Sequence, residues 1–420
     1  MTEHGQKPVI VVGGGAAGLL TAAMAAECGR PVLLMERNDR PGRKLRITGK
    51  GRCNLTNDCT VGELVAHVPC NGRFLYSAFC RFTPQDMMAL MEAQGVPLKV
   101  ERGSRVFPVS DRAEDVVDAL VRLAEGRGVR LCRGRVTELL LKDGACVGVR
   151  CEDGTVREAA AVAVCTGGAS YPRTGSTGDG YRLARQAGHT VTAPRPSLVP
   201  LESVESWPLT AQGLSLKNCA LTVTDGKTGK TVYTDFGEML FTHFGVSGPM
   251  ILSASAHMRE MEPGRYRLRI DLKPALSAEK LEARIGRDRE LYANQNLSNA
   301  LTHLLPHSLV VPVLRLADIP EERKYRDMTR EERRRLTATV KALPLTVRGF
   351  RPIAEAIITS GGVSVREVDA KTMESKRCRG LYFAGEVLDV DAYTGGFNLQ
   401  IAFSTAAAAG RALQSATAGE

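Results

Sequence analysis

Apolar positions change rhythm twice along the chain. Residues 9–12 form an uninterrupted apolar run, the pattern of a strand buried on both faces of a parallel sheet. An Ala-rich helical pattern follows from Leu19 to about Cys28, Gly29 closes it, and 31–35 is a second apolar run ending at Glu36. The stretch 128–136 reads as one strand, 145–150 and 155–164 as a hairpin or three-stranded sheet, and 161–165 as another buried strand that stops at Thr166-Gly167-Gly168. Glycines at 175, 178 and 180 mark a loop capping a helix over about 180–187. Near the end, 381–384 is a short strand, Gly385-Glu386 follows, and an irregular loop over 389–397 leads into an Ala-rich helix that starts at Asn398.

Between about 190 and 350 the rhythm differs. Pro194, Pro196 and Pro200 mark an exit, and 197–272 carries short alternating runs such as 220–224 and 266–270 with the turn Asp225-Gly226-Lys227, which predicts a small barrel-like β domain. Residues 277–340 are helical in pattern, broken at Pro306, Pro312 and Pro320. The run 321–335 mixes charges of both signs and reads as a solvated helix face, with Arg333-Arg334-Arg335 able to touch an anion. At 420 residues the chain is too long for one core.

Segment 13–18 contains G-x-G-x-x-G between the first strand and the first helix. Gly13 permits the tight turn, Gly15 lets a pyrophosphate approach the backbone, and Gly18 lets helix and strand pack closely. The N-terminus of the helix that follows offers free N–H groups and a partial positive charge that suit phosphates. Glu36, eighteen residues after Gly18, can accept bonds from both ribose hydroxyls of an adenosine and would repel a ribose phosphate, which disfavours NADP here. A lone G-x-G-x-x-G says little; strand, glycines, helix, second strand and acid in this order say much more.

Net charge is +10, from 56 basic and 46 acidic residues, which favours anionic ligands or a nucleic-acid surface, although aromatics are sparse among the cations. The 11 cysteines include no C-x-x-C pair, which argues against zinc, a dithiol centre or a disulfide framework and points to reduced thiols in the cytoplasm. The apolar run within residues 1–12 is too short for a signal peptide, and no stretch approaches a membrane span.

One stretch needs more: GRKLRITGKGRCN, 42–54, carries five cations, three glycines and no acid. A nucleic-acid patch, a phosphate loop and a site around Cys53 are all conceivable. Its position directly after Glu36 places it at the carboxyl edge of the sheet, where ligands of doubly wound folds lie. Together with CTGGASYPRTGSTGDGYRLA (165–184), GEMLFTHFGVSGPMIL (237–252), ITSGGVSVREVD (358–369) and GLYFAGEVLDVDAYTGGFNLQIAFSTAAAAG (380–410), the stretch resembles the small bacterial flavoproteins that include aminoacetone oxidases and BaiN-like bile-acid reductases. The family's loop often reads SGGGRCN; this chain has TGKGRCN.

The resemblance implies an α/β fold: a Rossmann-like FAD-binding domain of the two-dinucleotide-binding type (1–193 and 358–420), with an inserted β-barrel-like, substrate-side domain (194–275, returning over 343–357) and a small helical domain (276–342). It implies that FAD is held by Gly13, Gly15, Ala16, Ala17, Gly18, Glu36 and Arg37; by Arg43, Lys44, Thr48, Gly49, Gly51, Arg52 and Asn54 of the basic stretch; by Val136 at the adenine; by Thr166 and Gly167; and by Gly385, Glu386, Gly396, Asn398, Leu399 and Gln400 at the flavin end. Gly49 and Gly51 allow close backbone approach, and Arg43 or Lys44 can neutralise phosphate. Cys53 is then a packing residue. The last helix would aim its N-terminus at the flavin pyrimidine edge and stabilise the anionic reduced ring. His243, Tyr171 and Tyr393 are outside candidates for proton transfer, and a structural role suits His243 better.

The expected activity is hydride transfer between flavin and a small organic substrate, by amine oxidation or by NAD(P)H-linked reduction of a conjugated ketone. No second dinucleotide fingerprint is present, so NADH or NADPH would act as a transient donor at the flavin face. The alternative is a flavin-containing RNA-modifying or RNA-binding protein, motivated by the positive charge. No metal is expected, and substrate identity and oligomeric state are not legible.

Overall fold

The computed structural model describes residues 6–415. Eleven strands build its two main sheets: β1 Val9–Val12, β2 Val32–Glu36, β3 Arg130–Arg133, β4 Ala161–Val164, β5 Leu201–Ser203, β6 Ser215–Asp225, β7 Thr231–Phe241, β8 Gly245–Ser247, β9 Tyr266–Asp271, β10 Leu343–Phe350 and β11 Leu381–Phe383. Four helices matter for the site: α1 Ala16–Ala26, α2 Arg43–Ile47, α3 Asp179–Gln186 and α4 Phe397–Ser415.

Two compact units result, Met1–Ser197 with Ile353–Glu420, and Leu198–Pro352. In the first, a parallel sheet runs β11-β4-β1-β2-β3. Val9 pairs with both Ala161 and Val32, and every residue of β1 and β4 is buried, which is why those runs carry no polar alternation. Helix α1 is buried along almost its whole length, and so are residues 400–410 of α4. Both are Ala-rich because they cross closely: a Cβ on Gly410 would lie 2.4 Å from Met24 Cβ and 2.8 Å from the Thr21 carbonyl. The Ala-rich C-terminal helix is thus a core element.

Three local expectations change. The run 128–136 is not one strand. It breaks after Arg133, Gly134 N–H bonds the Glu36 carbonyl at 2.8 Å, and Val136 opens Val136–Lys142, part of a separate antiparallel sheet with Ala145–Cys151 and Val156–Glu158. Val136 therefore pairs with Cys151, outside the parallel sheet. The basic stretch is not all loop: Gly42, at φ +72, turns the chain into the five-residue α2, and a 3-10 turn over Thr48–Gly51 follows. The last helix starts at Phe397, one residue early.

In the second unit, β5-β8-β7-β6-β9-β10 close a barrel. Its inward residues, among them Leu221, Val223, Leu268 and Ile270, share one apolar core with Leu281, Ile285, Val313 and Val340 of the helical segment. No helix among the described residues is long and apolar enough to cross a membrane.

Candidate dinucleotide site

Each glycine at the end of β1 does a different job. Gly13 has φ +102, and a Cβ there would meet the Cys165 carbonyl at 2.7 Å. At Gly18 a Cβ would stand 1.7 Å from the Gly13 oxygen, so α1 can sit on the sheet only with glycine there. Gly15 is the N-cap of α1, has an ordinary φ of −84°, and has no atom within 4 Å of an added Cβ. No side chain caps the helix and no acid lies in its first turn, so no side chain of the protein satisfies its first N–H groups. Glu36 stands beside this cradle: its Oε2 accepts from Gly14 N–H at 2.7 Å, and its Oε1 from the Asn38 N–H and Nδ2 at 2.8 and 2.7 Å. Arg37 donates to Thr177 Oγ1 at 2.7 Å and pairs with Asp179 at 3.1 Å.

The cations of the basic stretch find acids far away in sequence. Lys44 Nζ lies 2.7 and 3.0 Å from the Glu386 oxygens and 2.7 Å from Ser170 Oγ. Arg46 pairs with Glu114 and Asp118, and Arg52 with Glu101 and Asp111 while lying 4.2 Å over the Phe107 ring. Arg43 makes a longer bond to Asn38 Oδ1, at 3.3 Å, and reaches Asp39 at 4.0 Å. Most of the local charge is therefore balanced within the protein. The backbone is what stays open: Gly49, Lys50 and Gly51 all have positive φ, and a Cβ on Gly51 would meet nothing within 4 Å. Thr48 Oγ1 is bonded to the Leu45 carbonyl at 2.7 Å. Burial pushes the Cys53 thiol up to about 12, so it stays protonated and packs.

Glu386 is a hub. Besides Lys44, its Oε1 accepts from Thr359 N–H at 2.9 Å and Ser170 Oγ at 3.2 Å, and Thr359 Oγ1 accepts from Ala169 and Ser170 N–H. It thereby ties the basic stretch, the turn after β4, the 358–363 strand and the turn after β11 together. Gly385, at φ +79, leaves no room for a Cβ, which would lie 2.8 Å from Ala17 Cβ. Gly167 also needs positive φ, and the Thr166 hydroxyl is buried without a hydrogen-bond partner.

At the start of α4, Gly396 packs against Thr56, whose carbonyl a Cβ would meet at 2.3 Å. With its amide turned, Asn54 accepts from Gly396 N–H at 3.0 Å and donates to the Thr56 carbonyl at 3.3 Å. Asn398 grips Ala392 through both amide atoms, and Leu399 packs against the core. Gln400 is fully buried and bonds Thr56, Phe82 and Ser404, so its side chain braces the helix. His67 was not legible beforehand: it stacks on Phe397 at 4.2 Å and meets Tyr393 edge-on at 5.8 Å. These partners lie more than 300 residues away, and no local pattern announces them. Tyr171 sits at φ +51 before a short 3-10 turn. His243 is exposed in the β7–β8 turn of the second unit.

This geometry fits the implied FAD. An uncapped helix N-terminus with open space at Gly15 suits a pyrophosphate, Glu36 suits a ribose, and the open backbone at Gly51 suits a flat ring. Parallel strands whose carboxyl ends converge on a glycine cradle define a Rossmann dinucleotide-binding protein. The chain belongs to the family described as HI0933-like protein Rossmann domain, matched over residues 7–412. It is 32% identical to a protein of Escherichia coli K12 named ribosomal RNA dihydrouridine synthase, over 94% of this chain and 95% of that one. It is 30% identical to a 3-dehydro-bile acid delta(4,6)-reductase of Clostridium scindens, over 96% and 98%. Among solved structures, a 3-ketosteroid-delta4-(5alpha)-dehydrogenase from Rhodococcus jostii matches with TM-score 0.54 at 16% identity, covering 97% of both chains, a likeness of fold.

Proposed function

We propose that this FAD-dependent oxidoreductase delivers hydride to a carbon–carbon double bond conjugated to a carbonyl. The open glycine cradle at the N-terminus of α1, with Glu36 beside it, is the observation that carries the reading. When bound, FAD supplies the two-electron hydride couple. The chain's own part is to hold and orient. The α1 N-terminus would take the pyrophosphate, Glu36 the ribose hydroxyls, and the 48–51 backbone and the first turn of α4 the ring. Lys44 and Glu386 neutralise each other, so their role is to lock the four segments together. His67 and Tyr393, in ring contact with each other beside the start of α4, would hold a proton for the carbon next to the carbonyl. The relatives' names support the chemistry: a dihydrouridine and a product of a delta(4,6)-reductase both arise by saturating a double bond conjugated to a carbonyl.

NADH or NADPH is the proposed donor, binding transiently. The small conjugated ketone is the first substrate reading. The uracil ring of RNA is the second, favoured by the net charge of +10 and by the ribosomal RNA relatives. Anaerobic rapid mixing tests the proposal. NADH or NADPH should bleach the flavin, and a conjugated enone or a uridine-containing RNA should restore its colour. Bleaching by amines and by no nicotinamide would establish amine oxidation instead.

A further inference from the structure

Most arginines of this chain have carboxylate or carbonyl partners. On the outer face of the barrel, two do not. Arg267 and Arg269 alternate on β9 with buried Tyr266, Leu268 and Ile270, so both point outward and both are exposed. Neither makes an ion pair or a hydrogen bond among the described residues. Arg265, two positions earlier, shows the contrast, with Asp225, Glu260 and Glu262 around it.

The register extends this row. Arg267 faces Thr224 and Arg269 faces Thr222 on β6, which brings two hydroxyl side chains alongside the cations. One step on, Ala220 pairs with Asp271 on one side and with Phe236 of β7 on the other. Phe236 is 56% exposed, unusual for a large aromatic. Past Asp271, whose charge is met by Lys341, the row ends at a cavity of about 180 Å³ lined by Lys217, Asn218 and Lys273, among others. Lys273 has no carboxylate partner among the described residues, and burial, reinforced by Arg284, lowers its pKa, a cost that an anion would relieve. The acids on the neighbouring β7 are Asp235, turned onto Tyr233 and the Phe236 N–H, and the exposed Glu238.

From Arg267 to Lys273 is roughly 20 Å at ~3.3 Å per strand residue. Unpaired cations at intervals, hydroxyl and amide groups between them, and one exposed ring at the side are what a single nucleic-acid strand needs: phosphate partners, sugar contacts and a stacking platform. We propose that this face of the barrel, from Arg267 and Arg269 past Phe236 to the Lys217–Lys273 cavity, is a binding track for single-stranded RNA. The proposal extends the RNA reading above by saying where the strand lies, and it is read by binding alone.

The test is fluorescence anisotropy of a labelled uridine-containing single-stranded RNA with the flavin-loaded protein across a salt series. Binding should weaken with salt at a logarithmic slope of about −2 to −3, for three or four phosphate contacts at ~0.7 each. The R267A/R269A double variant should bind at least ten-fold more weakly, with a slope shallower by about 1.4. Phe236→Ala should weaken binding about ten-fold with the slope unchanged, because stacking carries no counterions. DNA of the same sequence should bind more weakly than RNA. Flavin content and turnover of a small conjugated ketone, unchanged in both variants, show that they are folded. Wild-type protein without salt-dependent binding, variants that bind like wild type, or DNA bound as tightly as RNA would each overturn the track. If the variants lose RNA binding and no form of the protein reduces any conjugated acceptor, the track stands and the proposed reaction falls.

Discussion

Gly15→Asp should yield a folded, colourless protein. Gly15 has φ −84° and nothing within 4 Å of an added Cβ, so the new side chain strains nothing. Aspartate is also a favoured N-cap, and α1 has no side-chain cap of its own. In the absence of flavin the variant should therefore unfold at the wild-type temperature or slightly above it. Its carboxylate, however, occupies the anion cradle and repels the pyrophosphate. The expected loss of FAD affinity is on the order of 100-fold or more, about 3 kcal/mol. Flavin release and titration of the apoprotein measure it. A yellow Gly15→Asp protein with ordinary affinity would show that the phosphates lie elsewhere.

Gly18→Ala should do the opposite, damaging the fold before the ligand is considered. Its Cβ would stand 1.7 Å from the Gly13 oxygen and 3.4 Å from Cys165 Cβ, between two backbones that cannot part without lifting α1 off the sheet. Helix α1 is also pressed against α4 at Gly410, so the shift would propagate into a second close crossing. The expected loss of stability is about 3 kcal/mol or more, read by urea unfolding of the apoprotein against wild type. Wild-type stability would mean that helix and strand are not in this contact. The two variants lie three residues apart and test the motif's parts separately: open space at Gly15, close packing at Gly18.

The steric roles of Gly13 and Gly18 were legible in the sequence because strand, turn and helix are local, and each of these glycines has its own close contact. So was the barrel, through its short alternating runs and turns. What could not be read was what lies opposite. Lys44 reads as a cation for phosphate, and its pairing with Glu386, 342 residues on, is set by tertiary packing. Arg52 likewise belongs to Glu101 and Asp111. A charged side chain announces its sign, whereas its partner depends on tertiary packing. Val136 reads as the end of one strand over 128–136 because no local signal marks the break at Gly134, where the N–H bonds the Glu36 carbonyl. Gln400 sits on the helix expected to meet the ring, yet its amide is consumed by Thr56, Phe82 and Ser404. The outward row of Arg267 and Arg269 becomes visible only when strand register sets them beside Phe236.

The most direct measurement is the identity and amount of the small molecule released when the purified protein is denatured. Chromatography should find FAD, close to one molecule per chain, and the apoprotein should recover its colour when FAD is supplied. A chain that releases none, and that stays colourless in excess FAD, would contradict the account.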